Sequence, residues 1–101
     1  MIVWVGLAEV RQRPGANVLL DRNDAFVFVL GLAHDDAGFQ TVVEDALDEL
    51  GFDLLRLENS EPFQLQMTSD PVREELIALA AEVAATGEAR LGTFHTWTTN
   101  D

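Results

Sequence analysis

The chain has 101 residues, a formal net charge of −12 and no cysteine. This length predicts a single domain over residues 1–101 that buries a core without disulfides. The absence of cysteine excludes disulfides, thiolate catalysis and zinc–thiolate sites, and the absence of lysine excludes Schiff-base catalysis.

Eighteen acidic residues face only six basic ones, all of them arginine. A field this negative repels phosphate backbones, so we expect no nucleic-acid binding and favour a basic protein as a partner. No apolar run approaches the roughly 18 residues that span a bilayer. Residues Met1–Val10 lack the basic region and cleavage site of a signal peptide. We therefore expect a cytoplasmic protein without membrane contact.

The first predicted strand is Met1–Val10, which is rich in β-forming residues. Arg11–Asp24 follows as a long loop with a turn signal at Pro14-Gly15. Ala25–Ala33 is an unbroken apolar run and predicts a central strand that is covered on both faces. Its even positions carry large side chains and its odd positions carry smaller ones. Because side chains alternate along a strand, one face carries the large side chains and the other the small ones.

A helix is predicted over Asp36–Leu50, with Asp35 or Asp36 as its N-cap and Gly51 just past its end. Its apolar residues recur at the spacing of one buried helix face. These residues are Phe39, Val42, Val43, Ala46, Leu47 and Leu50.

The remaining elements are two predicted strands that form a hairpin, a second helix and a last strand. The two strands span Asp53–Glu58 and Phe63–Met67 and are joined by a turn at Asn59–Pro62. The second helix runs from Asp70 to Gly87, and the last strand spans Leu91–Thr98.

From residue 25 the predicted order is strand, helix, strand, strand, helix, strand. This is the βαββαβ pattern of a ferredoxin-like, split βαβ fold, in the α+β class. We expect an antiparallel sheet with two helices on one face and an extra N-terminal strand. A second possibility pairs that extra strand directly with Ala25–Ala33 as a hairpin, which changes the strand order.

Two helices on one face leave the other face of an apolar central strand open. Exposed apolar patches of several hundred Å² usually mark interfaces. The sequence therefore predicts a homodimer or a partner surface on this open face. The interface candidates are Trp4, Phe26, Phe28 and Trp97. The alternative is that the Arg11–Asp24 loop folds over this face.

Chemistry-bearing residues are few. His34 precedes Asp35 at a strand end, and His95 lies within the last predicted strand, so both are weak candidates for a ligand site. Arg11 and Arg13 are weak candidates for contacting an anion. No nucleotide-binding loop, calcium loop or metal-ligand spacing is present, and we expect neither metal nor cofactor.

Two functional hypotheses follow. The first is a non-catalytic protein-binding or regulatory module that uses an apolar sheet face and an acidic helix face to bind itself or a basic protein. The alternative is a small ligand-binding protein or enzyme of the dimeric α+β barrel type, with a pocket near His95. The sparse catalytic equipment favours the first.

Overall fold

A computed structural model describes residues 1–13, 24–63 and 70–93 of the chain. Within these ranges the elements alternate between strands and helices as follows: β1 (Ile2–Gln12), β2 (Asp24–Ala33), α1 (Asp36–Glu49), β3 (Phe52–Pro62), α2 (Asp70–Thr86) and β4 (Arg90–Leu91). The α+β class is confirmed, with a four-stranded antiparallel sheet, two helices and an element order roughly like that of a ferredoxin-like fold.

The N-terminal strand is a central strand of the sheet. The strand order is β3-β1-β2-β4, so β1 lies between β2 and β3. It pairs with β2 without a break from Ile2↔Ala33 to Arg11↔Asp24. This confirms the possibility that the N-terminal strand pairs directly with Ala25–Ala33 as a hairpin. Like β2, β1 carries apolar side chains on both faces, which suits a central strand.

The two helices lie on opposite faces of the sheet, so the expectation that both cover one face is wrong. Residues of α1 pack with Ala8 and Val10 of β1, which lie at even positions. Residues of α2 pack with Val5 of β1 and Leu30 of β2, which point to the other side. Because side chains alternate along a strand, these two clusters lie on opposite faces.

The two faces of β2 differ in the size of their side chains, and each helix packs against its face accordingly. Beneath α1 the sheet presents small side chains such as Ala25 and Ala33, and α1 fills the space with Phe39 and Leu47. On the other side β2 presents larger residues, and α2 meets them with a mixed stripe that includes small ones. That second cluster contains Val5, Leu30, Leu76, Ala80 and Val83, with Val3, Phe28, Leu32, Phe63 and Leu79 packed against it. Large residues against small ones let each layer interdigitate.

Local signals set the ends of the helices. The Asp35 carboxylate accepts a hydrogen bond from the Gly38 backbone N–H at 2.8 Å, which confirms Asp35 as the N-cap of α1. Gly51 and Gly87 follow the two helices with φ values of 84° and 77°. This left-handed conformation costs glycine little, and so both residues end their helices as the sequence predicted.

The predicted hairpin after α1 differs from the structure. Strand β3 continues through the expected turn at Asn59–Pro62 to Pro62, with a register shift opposite the Val5 to Leu7 stretch of β1. Asn59 has a φ of 56° and marks this bulge. Asparagine tolerates the left-handed region in turns and bulges alike, so one residue pattern fits both. Most of the predicted strand Phe63–Met67 and of the predicted strand Leu91–Thr98 lies outside the described residues.

Candidate protein-binding surface

The outward side of α1 carries four exposed carboxylates. The helix buries Phe39, Val43 and Leu47 against the sheet, so its opposite side faces solvent. Four neighbouring residues share that exposed side in the second half of the helix: Glu44, Asp45, Asp48 and Glu49. We call these four residues the acidic α1 face.

The electrostatics of this face are unfavourable to the helix itself. Glu44 and Asp48, like Asp45 and Glu49, are like charges four residues apart, which destabilises a helix. The last turn of α1 contains no basic residue that would offset the partial negative charge of the helix C-terminus. Among the described residues, one arginine offsets part of this charge. Arg13 contacts Asp48 at 2.7 Å and Asp53 at 2.8 Å.

Arg13 has a structural role in this position. Its backbone N–H donates to the Gly51 carbonyl at 2.9 Å, and its side chain joins the end of β1 to α1 and to the start of β3. A hydrogen bond to Asp53, and to a smaller extent one to Asp48, raises the pKa of the guanidinium. A hollow of about 490 Å³ lies between Arg13 and the acidic α1 face, above Phe52 and Leu54.

A groove of about 440 Å³ runs along the other side of the acidic α1 face. One wall is an apolar stripe of α1 at every fourth residue, formed by Val42, Ala46 and Leu50. The facing wall is the segment that leads from α2 into β4 and includes Ala89 and Leu91. The lining thus brings two parts of the chain together that lie about forty residues apart in the sequence.

The rim of this groove is mostly acidic. Asp45 and Glu49 line it on the α1 side, and Glu88 and Arg90 line it on the other. Arg90 lies 3.8 Å from Glu88 and 3.8 Å from Glu82 of α2, so carboxylates on two sides offset its charge. We call these nine lining residues the α1–β4 groove.

The four interface candidates from the sequence do not form one surface in the described structure. Trp4 stacks on Phe39 beneath α1, with ring centroids 6.0 Å apart. Its indole N–H is buried without a hydrogen-bond partner among the described residues. Phe28 packs against the α2 cluster, and Phe26 is partly buried on the same side of the sheet. Trp97 lies outside the described residues.

The weak ligand-site candidates are likewise dispersed. His34 is exposed at the end of β2, and Asp35 beside it is the N-cap of α1. Within the ranges 1–13, 24–63 and 70–93, no group of histidine and carboxylate side chains is placed to hold a metal ion. His95 lies outside those ranges.

Arg11, the remaining candidate, lies near the end of β1 and pairs with Asp24 at the start of β2. Its Nε and Nη2 donate to the two oxygens of the Asp24 carboxylate at 2.9 Å and 3.2 Å. The hydrogen bond from Arg11 lowers the pKa of Asp24 and raises that of the guanidinium. This two-point contact accounts for Arg11 without an external anion.

Sequence reasoning placed Leu50 in the buried stripe of α1 and missed its role in the groove. Leu50 is 44 % exposed. The signal available in the sequence was its position just before Gly51, where the helix ends and leaves the core. Glu88 and Arg90 carried no such signal, because only the tertiary structure brings them next to α1.

No protein-family model matches this chain significantly, and no curated protein or solved structure does so either. In the part of the chain that the structure describes, no helix combines the length and the apolar character that crossing a bilayer requires.

Proposed function

We propose that this chain is a non-catalytic protein-binding or regulatory module and that its acidic α1 face binds a basic protein. The observation that supports this proposal most is the crowding of four exposed carboxylates on one helix side, with Arg13 the one described arginine in contact with them. The overall charge of −12 would steer a basic partner toward the chain.

A basic partner would offset two unfavourable electrostatic interactions in α1. It would screen the repulsion between Glu44 and Asp48 and between Asp45 and Glu49, and it would offset the helix dipole near the end of α1. A surface that is unfavourable in the free protein and favourable in a complex is expected of a binding site.

Self-association through the sheet, the other form of the proposal, has less support. α2 packs over the central part of the face that was expected to be open, at Val5 and Leu30. On the same side of the sheet, the half-buried Phe26 lies near the ion pairs Arg11–Asp24 and Arg56–Glu9. A homodimer stays a prediction, and two acidic α1 faces would repel one another.

The alternative function, a ligand-binding protein or enzyme with a pocket near His95, also stays a prediction. His95 lies outside the described residues, and neither the α1–β4 groove nor the hollow beside Arg13 includes His34.

The test compares two double variants with equal change in net charge. E44Q/E49Q removes two carboxylates of the acidic α1 face and leaves the Asp48–Arg13 pair intact, whereas D36N/E74Q removes two exposed carboxylates elsewhere. Each protein is immobilised, exposed to a lysate of its source cells, and its retained proteins are identified by mass spectrometry. We expect basic proteins that are retained by the wild type and by D36N/E74Q and are lost with E44Q/E49Q. Equal retention by both variants would contradict the proposal.

A further inference from the structure

The α1–β4 groove has a chemistry that the acidic α1 face alone does not have. We infer that it receives a basic amphipathic segment of the partner protein, with an apolar side chain seated between α1 and β4 and flanking arginines or lysines at the rim. This inference rests on the proposed function and names the site and the chemical class of the partner.

The two walls of the groove offer apolar surface to a partner. Val42, Ala46 and Leu50 follow one row of α1, so they extend for about 12 Å along the helix axis. Ala89 and Leu91 face them from the other wall. Leu50 is 44 % exposed and therefore has surface left to bury against an incoming apolar group.

The rim supplies the charge complementarity. Asp45 and Glu49 lie on the α1 side of the groove and Glu88 lies on the opposite side, and all three are exposed. Arg90 also lines the groove, but it is held between Glu82 and Glu88. An acidic or neutral segment would form no ion pairs with these carboxylates. A segment with cations on both sides of an apolar residue would form ion pairs at the rim and apolar contacts inside the groove.

Both sides of the groove are held against the sheet by contacts within the chain, so the site does not depend on a partner to form. Gly31 of β2 lets α1 approach the sheet closely, since a Cβ atom there would lie 2.6 Å from Cγ1 of Val42. The same atom would lie 3.7 Å from Cβ of Ala89. On the other side, Gly92 donates its N–H to the Phe28 carbonyl at 2.8 Å and extends the contact of β4 with β2. A preformed site lowers the ordering cost of binding.

The experiment measures binding of a synthetic amphipathic peptide of leucine and lysine by fluorescence anisotropy, with a peptide of leucine and glutamate in the same pattern as the control ligand. L50A removes the exposed apolar group from the groove. I77A is the matched variant, because Ile77 is 47 % exposed on α2 and lies outside the groove. Neither substitution changes the net charge. Circular dichroism and thermal melts verify that both variants are folded.

We expect the lysine peptide to bind and the glutamate peptide not to bind. L50A should weaken binding by about five- to tenfold, from the lost burial of the leucine side chain, and I77A should leave it unchanged. D45N/E49Q should weaken binding further and flatten its dependence on salt. In ¹⁵N spectra the lysine peptide should shift the amides of residues 42–50 and 88–91.

The outcomes separate the groove from the acidic face. If D45N/E49Q weakens binding and L50A does not, the inference is wrong and the proposed function stands. If L50A and I77A weaken binding equally, the groove is not the apolar seat. If light scattering shows a dimer that L50A dissociates, the occupant is a second copy of this chain, and the inference of a basic segment fails.

Discussion

At the scale of single residues, Gly31 is a point at which α1 approaches the sheet closely. An added Cβ atom there would lie 2.6 Å from Cγ1 of Val42, a distance at which one of the two must move. The side chain of Val42 is on the helix that lines the candidate groove, so this contact also affects the shape of the site.

We predict that G31A lowers the free energy of unfolding by about 1–3 kcal/mol, the usual cost of overpacking a well-filled contact. In the double variant G31A/V42A the space is restored, and the two substitutions should then cost less than the sum of their separate effects. Urea unfolding of the wild type, both single variants and the double variant measures this coupling. Strictly additive effects would show that α1 does not approach β2 as closely as described.

A second residue-scale prediction concerns the pair Arg11–Asp24. The hydrogen bond from Arg11 lowers the pKa of Asp24 in the folded protein. The unfolded state therefore binds the proton more readily, and the pair stabilises the fold above the unfolded pKa of about 3.9. As the pH falls through the lower folded-state pKa, that stabilisation is lost.

Urea unfolding of the wild type and D24N between pH 2 and 7 tests this sign. The wild type should be more stable than D24N at neutral pH, and the difference should shrink as Asp24 becomes protonated. R11Q provides the control, because it removes the same pair and should abolish the same pH dependence. A stability difference that stays constant across the acid range would contradict the assignment. Since both side chains are partly exposed, salt should also reduce the difference.

At the scale of elements, α1 could be predicted from its sequence and the end of β3 could not. The cap at Asp35, the apolar spacing and the glycine at position 51 act within a few residues of one another, so local chemistry specifies the helix. Asn59–Pro62 gives a signal that fits a turn and a bulge equally well. Pairing with β1, a segment more than fifty residues earlier in the chain, decides for the bulge.

We predict that D35A destabilises the protein by about 0.5–2 kcal/mol, because it removes the acceptor for the Gly38 N–H at the start of α1. D35S retains a capping oxygen and should recover most of the loss. Thermal unfolding followed by circular dichroism measures both. Equal destabilisation by D35A and D35S would indicate a role for the Asp35 charge that capping does not include.

At the scale of the whole molecule, the sheet lies between two separate apolar clusters, one beneath each helix. The sequence predicts both helices on one face and therefore an open apolar face with Trp4, Phe26, Phe28 and Trp97. Trp4 instead lies under α1 and Phe28 under α2. The main reason for expecting a homodimer is thereby lost, and the proposed function rests instead on the acidic α1 face and the α1–β4 groove.

We predict that L76A lowers the free energy of unfolding by about 2–5 kcal/mol, because Leu76 is fully buried between α2 and the sheet. I77A changes the neighbouring, exposed residue and should stay within about 0.5 kcal/mol of the wild type. Chemical denaturation gives both values. A small effect of L76A would mean that α2 does not cover this face of the sheet in solution.

Local chemistry along the chain specifies the α+β class, α1 with its caps, the acidic charge, and a central strand with apolar residues on both faces. Which segments cover those faces follows only from contacts between distant parts of the chain. An apolar strand face is satisfied equally by a helix of the same chain or by a second copy, because burial of apolar surface is non-directional. In the structure, α1 covers the face of β2 with small side chains and α2 covers the face with large ones. The groove exists only because residues 42–50 and 88–91 meet there.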